Sequence, residues 1–414
     1  MRSIRLSFAG TIFAVIAITL SMAASAFAQE TVIRWFNNND GYDPIAGMII
    51  DASGNLYGST FYGGTYGAGN IFKLAPKGGT WVETQLYSFN DVGTDGFWPN
   101  AKLTVDSQGN FYGTTFLGGA FGAGIVFELM PNADGSWTCK TLHSFGQSGD
   151  GSFPHGGLLV GAKGELYGTA AGGGSDKDGI VYELIPNGHG GFAEKILHSF
   201  SGGADGANPY SSLVSVSGSL YGTTYSGGGS SACIDGCGTV FAVTPAGDGS
   251  WVESVVHSFN NVDGANPDGG LIRDSSGNLY GAASQGNSGN FGAIFELTPA
   301  ADGGWQELTL HTFDQAGDGV YPLGPLTFDA SGNLYGASEE GGAHKAGSVY
   351  ELTPTAGGAW SEQVVYSFVN GVNTPNHPGP GIVFDNAGNL YGEALAGGDP
   401  TCLGGCGAIF EVTP

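Results

Sequence analysis

The chain predicts an all-β fold, a seven-bladed β-propeller with four-stranded blades, and three observations carry that expectation. A tyrosine recurs seven times, as Tyr57, Tyr112, Tyr167, Tyr221, Tyr280, Tyr335 and Tyr391, at spacings of 54 to 59 residues. Every copy presents the same succession of short apolar motifs joined by glycine turns, and roughly 50 residues carrying four strands is the period of a propeller blade. The segment TVIRWF at 31–36 supplies the one strand that the last copy lacks.

Within a copy the elements follow in order. Strand A is the apolar stretch before the first turn, such as GGLLV at 156–160. Strand B carries the LYG motif that contains the recurring tyrosine, and strand C carries IFKLAP, VFELMP, VYELIP and their relatives. Strand D runs from a Trp or Phe to an aromatic-Ser-Phe ending, as in WVESVVHSF at 251–259, and it alternates with a period of two. The final copy stops after strand C at Pro414, so pairing 31–36 into it, with Phe36 in the place of Phe89, closes the ring and leaves no open edge.

Residues 1–28 read as a signal peptide, with Arg2 and Arg5 before the apolar run TIFAVIAITL and an Ala26-Phe27-Ala28 cleavage pattern. Residues 29–414 then form a single propeller with no transmembrane segment after cleavage, expected to be exported to the extracellular space, the cell surface or the periplasm, and monomeric. The 12 Lys+Arg against 37 Asp+Glu make a surface that repels phosphate backbones and anionic lipids, which excludes nucleic acid as a partner. The 77 glycines lack the triplet period of collagen and fit many tight turns.

The repeated motifs read first as scaffold. Asp-x-x-Gly-Asn, beginning at Asp51, Asp106, Asp274, Asp329 and Asp385, is a turn whose Asp accepts from the turn's own amides. Asp-Gly-x-x-Pro in the D-to-A connection, from Asp40–Pro44 through Asp318–Pro322, is a turn followed by a strand-opening proline. His143, His198, His257 and His311 share one register of strand D, but each belongs to a different blade and they cannot share an ion. Their counterparts are expected to be Tyr87, Tyr366 and Trp35, so the position selects an amphipathic aromatic. Cys233 with Cys237, and Cys402 with Cys406, flank glycine-containing B-to-C hairpins and are expected to form local disulfides, leaving Cys139 as a free thiol in strand D. No nucleophile elbow, phosphate loop or zinc motif is present, so no cofactor is expected.

The GNLYGTT-like strands, the GG-containing hairpin and the VFELTP strands together resemble the GloVer-type, "choice-of-anchor" tandem repeat proteins of bacteria over the whole mature chain. That resemblance implies an exported protein and no particular activity. The chain departs from anchored members in having no sorting tail after the last repeat.

Function is expected on the face where the D–A and B–C loops emerge. Phe61, Tyr62, Tyr66, Phe97, Trp98, Phe116, Phe121 and Phe153 gather there from blades 1 to 3, with Tyr42, Tyr210 and Tyr321 from other connections and Asp95 and Asn100 as polar groups. Aromatic platforms beside carboxylates and amides suit a neutral glycan or a cell-surface protein, so the leading expectation is a non-catalytic binding propeller. One alternative is a polysaccharide lyase or glycosidase with acidic residues near the central channel, and another is a purely structural envelope protein.

Overall fold

A computed structural model describes residues 28–314, 317–371, 373–402 and 404–413, so the expected leader lies outside the described residues except for Ala28. The described chain has no helix, and its strands form seven antiparallel sheets arranged as a ring of seven four-stranded blades. In blade 1, for example, Ile49–Ile50, Leu56–Thr60, Asn70–Lys77 and Thr80–Ser88 pair in sequence order from the channel outwards.

The ring closes as the permuted repeat requires. Strand Gln29–Trp35 pairs antiparallel with Ala408–Thr413 of the last copy, taking the outermost place in blade 7. Strand A is shorter than its apolar stretch suggests in every blade but the sixth, where it runs from Val320 to Phe328. In blade 3 it is split into Gly151–Pro154 and Leu159–Val160, both pairing with strand B Leu166–Gly173. The proline has no amide to donate, and the residue before it is left-handed, so the ladder breaks there and frees those residues to face the channel.

The core lies between blades. The Phe that ends each strand D is buried on the strand C aromatic of the next blade, with centroids 4.8–5.2 Å apart, in all seven seams from Phe36–Phe72 to Phe368–Phe410. That strand C ring also explains the glycine of LYG. A Cβ on Gly58, Gly113, Gly168, Gly222, Gly281, Gly336 or Gly392 would stand 2.3–2.7 Å from the ring of its own blade's Phe or Tyr, or from its hydroxyl. The tyrosine of LYG bonds instead to the turn before it and to strand C: Tyr112 donates to Asp106 and Glu128, and Tyr391 to Asp385 and Glu411.

Candidate functional site

The seven D–A connections place two residues each around one mouth of the channel, one before the proline and one after it. Those before it are Asp43, Trp98, Phe153, Asn208, Asn266, Tyr321 and His377, all left-handed with φ between 53° and 64°. From Trp98 to His377 their amides donate across the seam, as Trp98 does to the Ala68 carbonyl at 2.9 Å and Phe153 to Ala123 at 2.8 Å. A left-handed aromatic costs on the order of 1–3 kcal/mol and persists only where its surroundings hold it. The residues after the proline in blades 1 to 6 are Ile45, Asn100, His155, Tyr210, Asp268 and Leu323, and they line a cavity of about 500 Å³. The scaffold repeats, while this inner ring carries a different side chain in each of those blades.

Several of the lining groups are polar, buried and unspent. Asn100 is 6% exposed, and neither its amide nitrogen nor its oxygen has a hydrogen-bond partner. Asp268 Oδ1 is likewise buried without a partner, and burial, with Glu339 adding repulsion, pushes its carboxyl up to about 7. Burial brings the His155 imidazole down to about 4, so it is neutral at physiological pH. Lys102 lines the same cavity, its ammonium lowered by burial against the opposing pull of Glu393. Glu393 stands where other blades have Ser59, Thr114, Thr169, Thr223, Ala282 and Ala337. It is 1% exposed, burial pushes it up to about 8, and its Oε2 accepts the Gly47 amide at 2.8 Å while its Oε1 has no partner. The mouth is tightly built. A Cβ on Gly156 would lie 2.4 Å from the Ser211 carbonyl of the next blade, and one on Gly324 would lie 2.3 Å from Pro380.

Aromatic rings surround part of this mouth in two groups. Tyr42, Phe61, Tyr62, Phe97 and Trp98 form one, with Phe61 stacked on Trp98 at 5.3 Å and Tyr42 on Tyr62 at 4.9 Å. The other runs as a chain from Phe153 through Phe116, His155 and Tyr210 to Tyr225, each centroid within 6.0 Å of the next. Of the residues expected from sequence, Asn100 and Tyr210 line the cavity, and Phe97, Trp98, Tyr62, Phe116 and Phe153 belong to the ring groups. Tyr66 and Phe121 stand apart at 63% and 53% exposed, and Tyr321 is not among the cavity's lining residues. Asp95 is engaged by Tyr87, Asn90 and the Gly96 amide. Sequence reasoning missed His155, Tyr225, Asp268, Lys102 and Glu393. Their signal was available as variation: they fall where otherwise matching copies disagree.

The outer rim of each seam carries a second repeated constellation. In six of the seven blades the strand D register read as a simple aromatic position is a donor to the Asp of the following Asp-Gly turn; Tyr366 reaches Glu30 instead. Tyr87 meets Asp95 at 2.9 Å, and His143, His198, His257 and His311 meet Asp150, Asp205, Asp263 and Asp318 at 3.0–3.3 Å. The expected counterpart Trp35 is corrected by the register. Arg34 pairs with Ile409 as His143 pairs with Val126 and Tyr87 with Ile71, and Arg34 ion-pairs with Asp40. A donor, not an aromatic, is what the position requires. The next blade adds an acid to six of the seven seams, at Glu83, Glu194, Glu253, Glu307, Glu362 and Glu30, six residues before its own Phe. Burial raises all six, Glu83 and Glu253 to about 7 and Glu194 to about 8. Cys139 takes this place in blade 2, and burial beside Asp95 pushes its thiol up to about 12, which makes it a poor nucleophile.

Both expected disulfides are present, Cys233–Cys237 and Cys402–Cys406, with Cα atoms 5.1 and 5.0 Å apart. They fit a chain that matures in an oxidising compartment.

Fold and site together define a seven-bladed repeat propeller with a non-repeating polar and aromatic mouth. The chain belongs to the Gloeobacter/Verrucomicrobia repeat family, whose model matches residues 7–234 and 230–414. Among solved structures it is similar to one from Bacteroides uniformis described as a 6-phosphogluconolactonase, at 13% identity and TM-score 0.49, covering 76% of this chain and 83% of that one. It is also similar to one from Thermus thermophilus described as an oxidoreductase (glucose dehydrogenase), at 13% identity and TM-score 0.46, covering 93% of this chain and 100% of that one. At these values neither likeness bears on activity. No curated protein matches the chain.

Proposed function

We propose that this is an exported, monomeric binding propeller that holds a neutral glycan at the mouth of its central channel. The observation that carries the reading is Asn100. A buried amide with both polar atoms unpaired costs roughly 1–3 kcal/mol unless something fills its valences. Asp268 offers a second unpaired oxygen in the same cavity, and the Tyr210, His155 and Tyr225 rings give apolar sugar faces something to stack on. Aromatic platforms beside uncompensated amide and carboxyl groups complement a ring that is apolar on its faces and hydroxylated at its rim. A protein partner would not need the concave polar pocket.

A glycan array probed with the full chain tests this. Retention of one class of neutral oligosaccharide is expected, weakened at least tenfold by Tyr210→Ala and more mildly by Trp98→Ala, with far-UV circular dichroism unchanged. Absence of any sugar binding, or binding that survives both substitutions, contradicts it.

A second reading, hydrolysis or elimination at the same mouth, is favoured by the protonated character of Asp268 and Glu393. Carboxyls raised to about 7 and about 8 still hold a proton near neutral pH, as a general acid must. It expects reducing ends to be released from a bound glycan and that release to vanish in Asp268→Asn. Unchanged product release in that variant counts against it.

A further inference from the structure

Of the four seams that carry a His–Asp pair, the one between blades 2 and 3 also brings the next blade's acid within ion-pair distance of the imidazole. His143 on strand D of blade 2, Asp150 in the connection after it and Glu194 on strand D of blade 3 each place a donor atom within 4.8 Å of the other two. His143 Nε2 lies 3.3 Å from Asp150 Oδ2 and 3.9 Å from Glu194 Oε1. Metal–nitrogen and metal–oxygen bonds of about 2.0–2.2 Å in a tetrahedron set their donors roughly 3.3–3.6 Å apart, so small side-chain movements would complete three corners.

Two further features point to a cation. Glu194 Oε1 is buried with no hydrogen-bond donor, and a carboxylate oxygen of Glu194 lies within 4.8 Å of one of Asp150. Two carboxylates that close repel unless a proton or a cation stands between them. Asp150 is also held from behind. Its side chain is 5% exposed, and the amides of Gly146 and Gly151 donate to its two oxygens, fixing the carboxylate as an outer shell fixes a ligand. A cavity of about 290 Å³ lined by Gln147, Ser148, Gly149, Asp150, Glu194 and Ile196 provides entry. In the seam of His257 and Asp263 the corresponding Glu307 accepts instead from Thr309. Among the described residues, His143, Asp150 and Glu194 alone form such a group.

We propose that His143, Asp150 and Glu194 bind one Zn²⁺-class divalent cation across this seam, with a fourth position open to the cavity. One imidazole and two carboxylates suit zinc; they provide too few oxygens for calcium.

The test uses the full chain without an affinity tag, stripped with EDTA and titrated with Co²⁺ and then Zn²⁺. One saturable equivalent is expected, with the visible d–d bands of four-coordinate Co²⁺ displaced by Zn²⁺ and a rise in Tm on loading. Glu194→Gln and His143→Asn should each abolish the bands, while His257→Asn in a sister seam keeps them. No saturable site, or bands that persist in both seam variants, overturns the proposal. A crystal of the unaltered protein soaked in Zn²⁺ decides the matter if either variant fails to fold. An anomalous peak between these three residues supports it, and a peak elsewhere or none overturns it.

Discussion

At the scale of single residues, constancy and variation have separate causes. The glycine of LYG is constant because a strand C ring occupies the space a Cβ would need. In Gly281→Ala the new methyl would stand 2.5 Å from Phe295 Cζ, so the ring or the strand must move. Overpacking of this kind costs about 1–3 kcal/mol. Urea unfolding of Gly281→Ala should therefore show a lower midpoint with an unchanged slope, and an unaltered midpoint would refute the packing account. The turn Asp residues are constant for another reason: Asp51 accepts from the Ser53 and Asn55 amides and from the Asn55 side chain. Burial alone would raise that carboxyl, but the donors outweigh it and hold it below its usual value. Such local partners are legible in a sequence because they lie two to four residues away. The His–Asp pairs were not. A β-bulge in strand D, as between Thr141 and His143, sets which side chain reaches the following loop.

At the scale of elements, the unit of stability is the seam rather than the blade. Each seam joins a buried ring pair to a polar rim, and in five of the seven a donor, an Asp and the next blade's acid meet there. The acids give stability a definite pH dependence. Glu83 and Glu253 are raised to about 7 in the fold, from about 4.3 in an unfolded chain. Between those values the folded state binds more protons, so stability falls as pH rises. His155 and His198, whose charged forms burial disfavours, act in the opposite direction on acidification, but the raised carboxyls outnumber them. With EDTA present, Tm should rise as pH is lowered from 8 towards 5. Glu253→Gln should flatten that rise, and a wild-type Tm that falls steadily over this range would contradict the assignment. The seam also explains Cys139, which looked like a leftover thiol in the sequence. It occupies the acid's register, six residues before Phe145.

At the scale of the whole molecule, the ring was legible because it is written seven times. The spacing of the tyrosines, the missing last strand and the N-terminal segment that replaces it together specify the closure seen between Gln29–Trp35 and Ala408–Thr413. The face of the candidate site was legible too, from the aromatics of the D–A connections. Its centre was legible only in part: Asn100 and Tyr210 were picked out, but hydropathy and motif both pass over His155 and Asp268 as ordinary loop residues. Only the channel brings together side chains that are about 55 residues apart, one per blade. The central claim is that the non-repeating mouth, and no other surface, receives the ligand. Hydrogen–deuterium exchange of the full chain, with and without a saturating oligosaccharide identified on the array, tests it most directly. Protection is expected in peptides covering 98–102, 153–157, 208–212 and 266–270, with the outer strands unchanged. Protection confined to the outer strands or to the opposite loops, or none at saturation, would contradict the account.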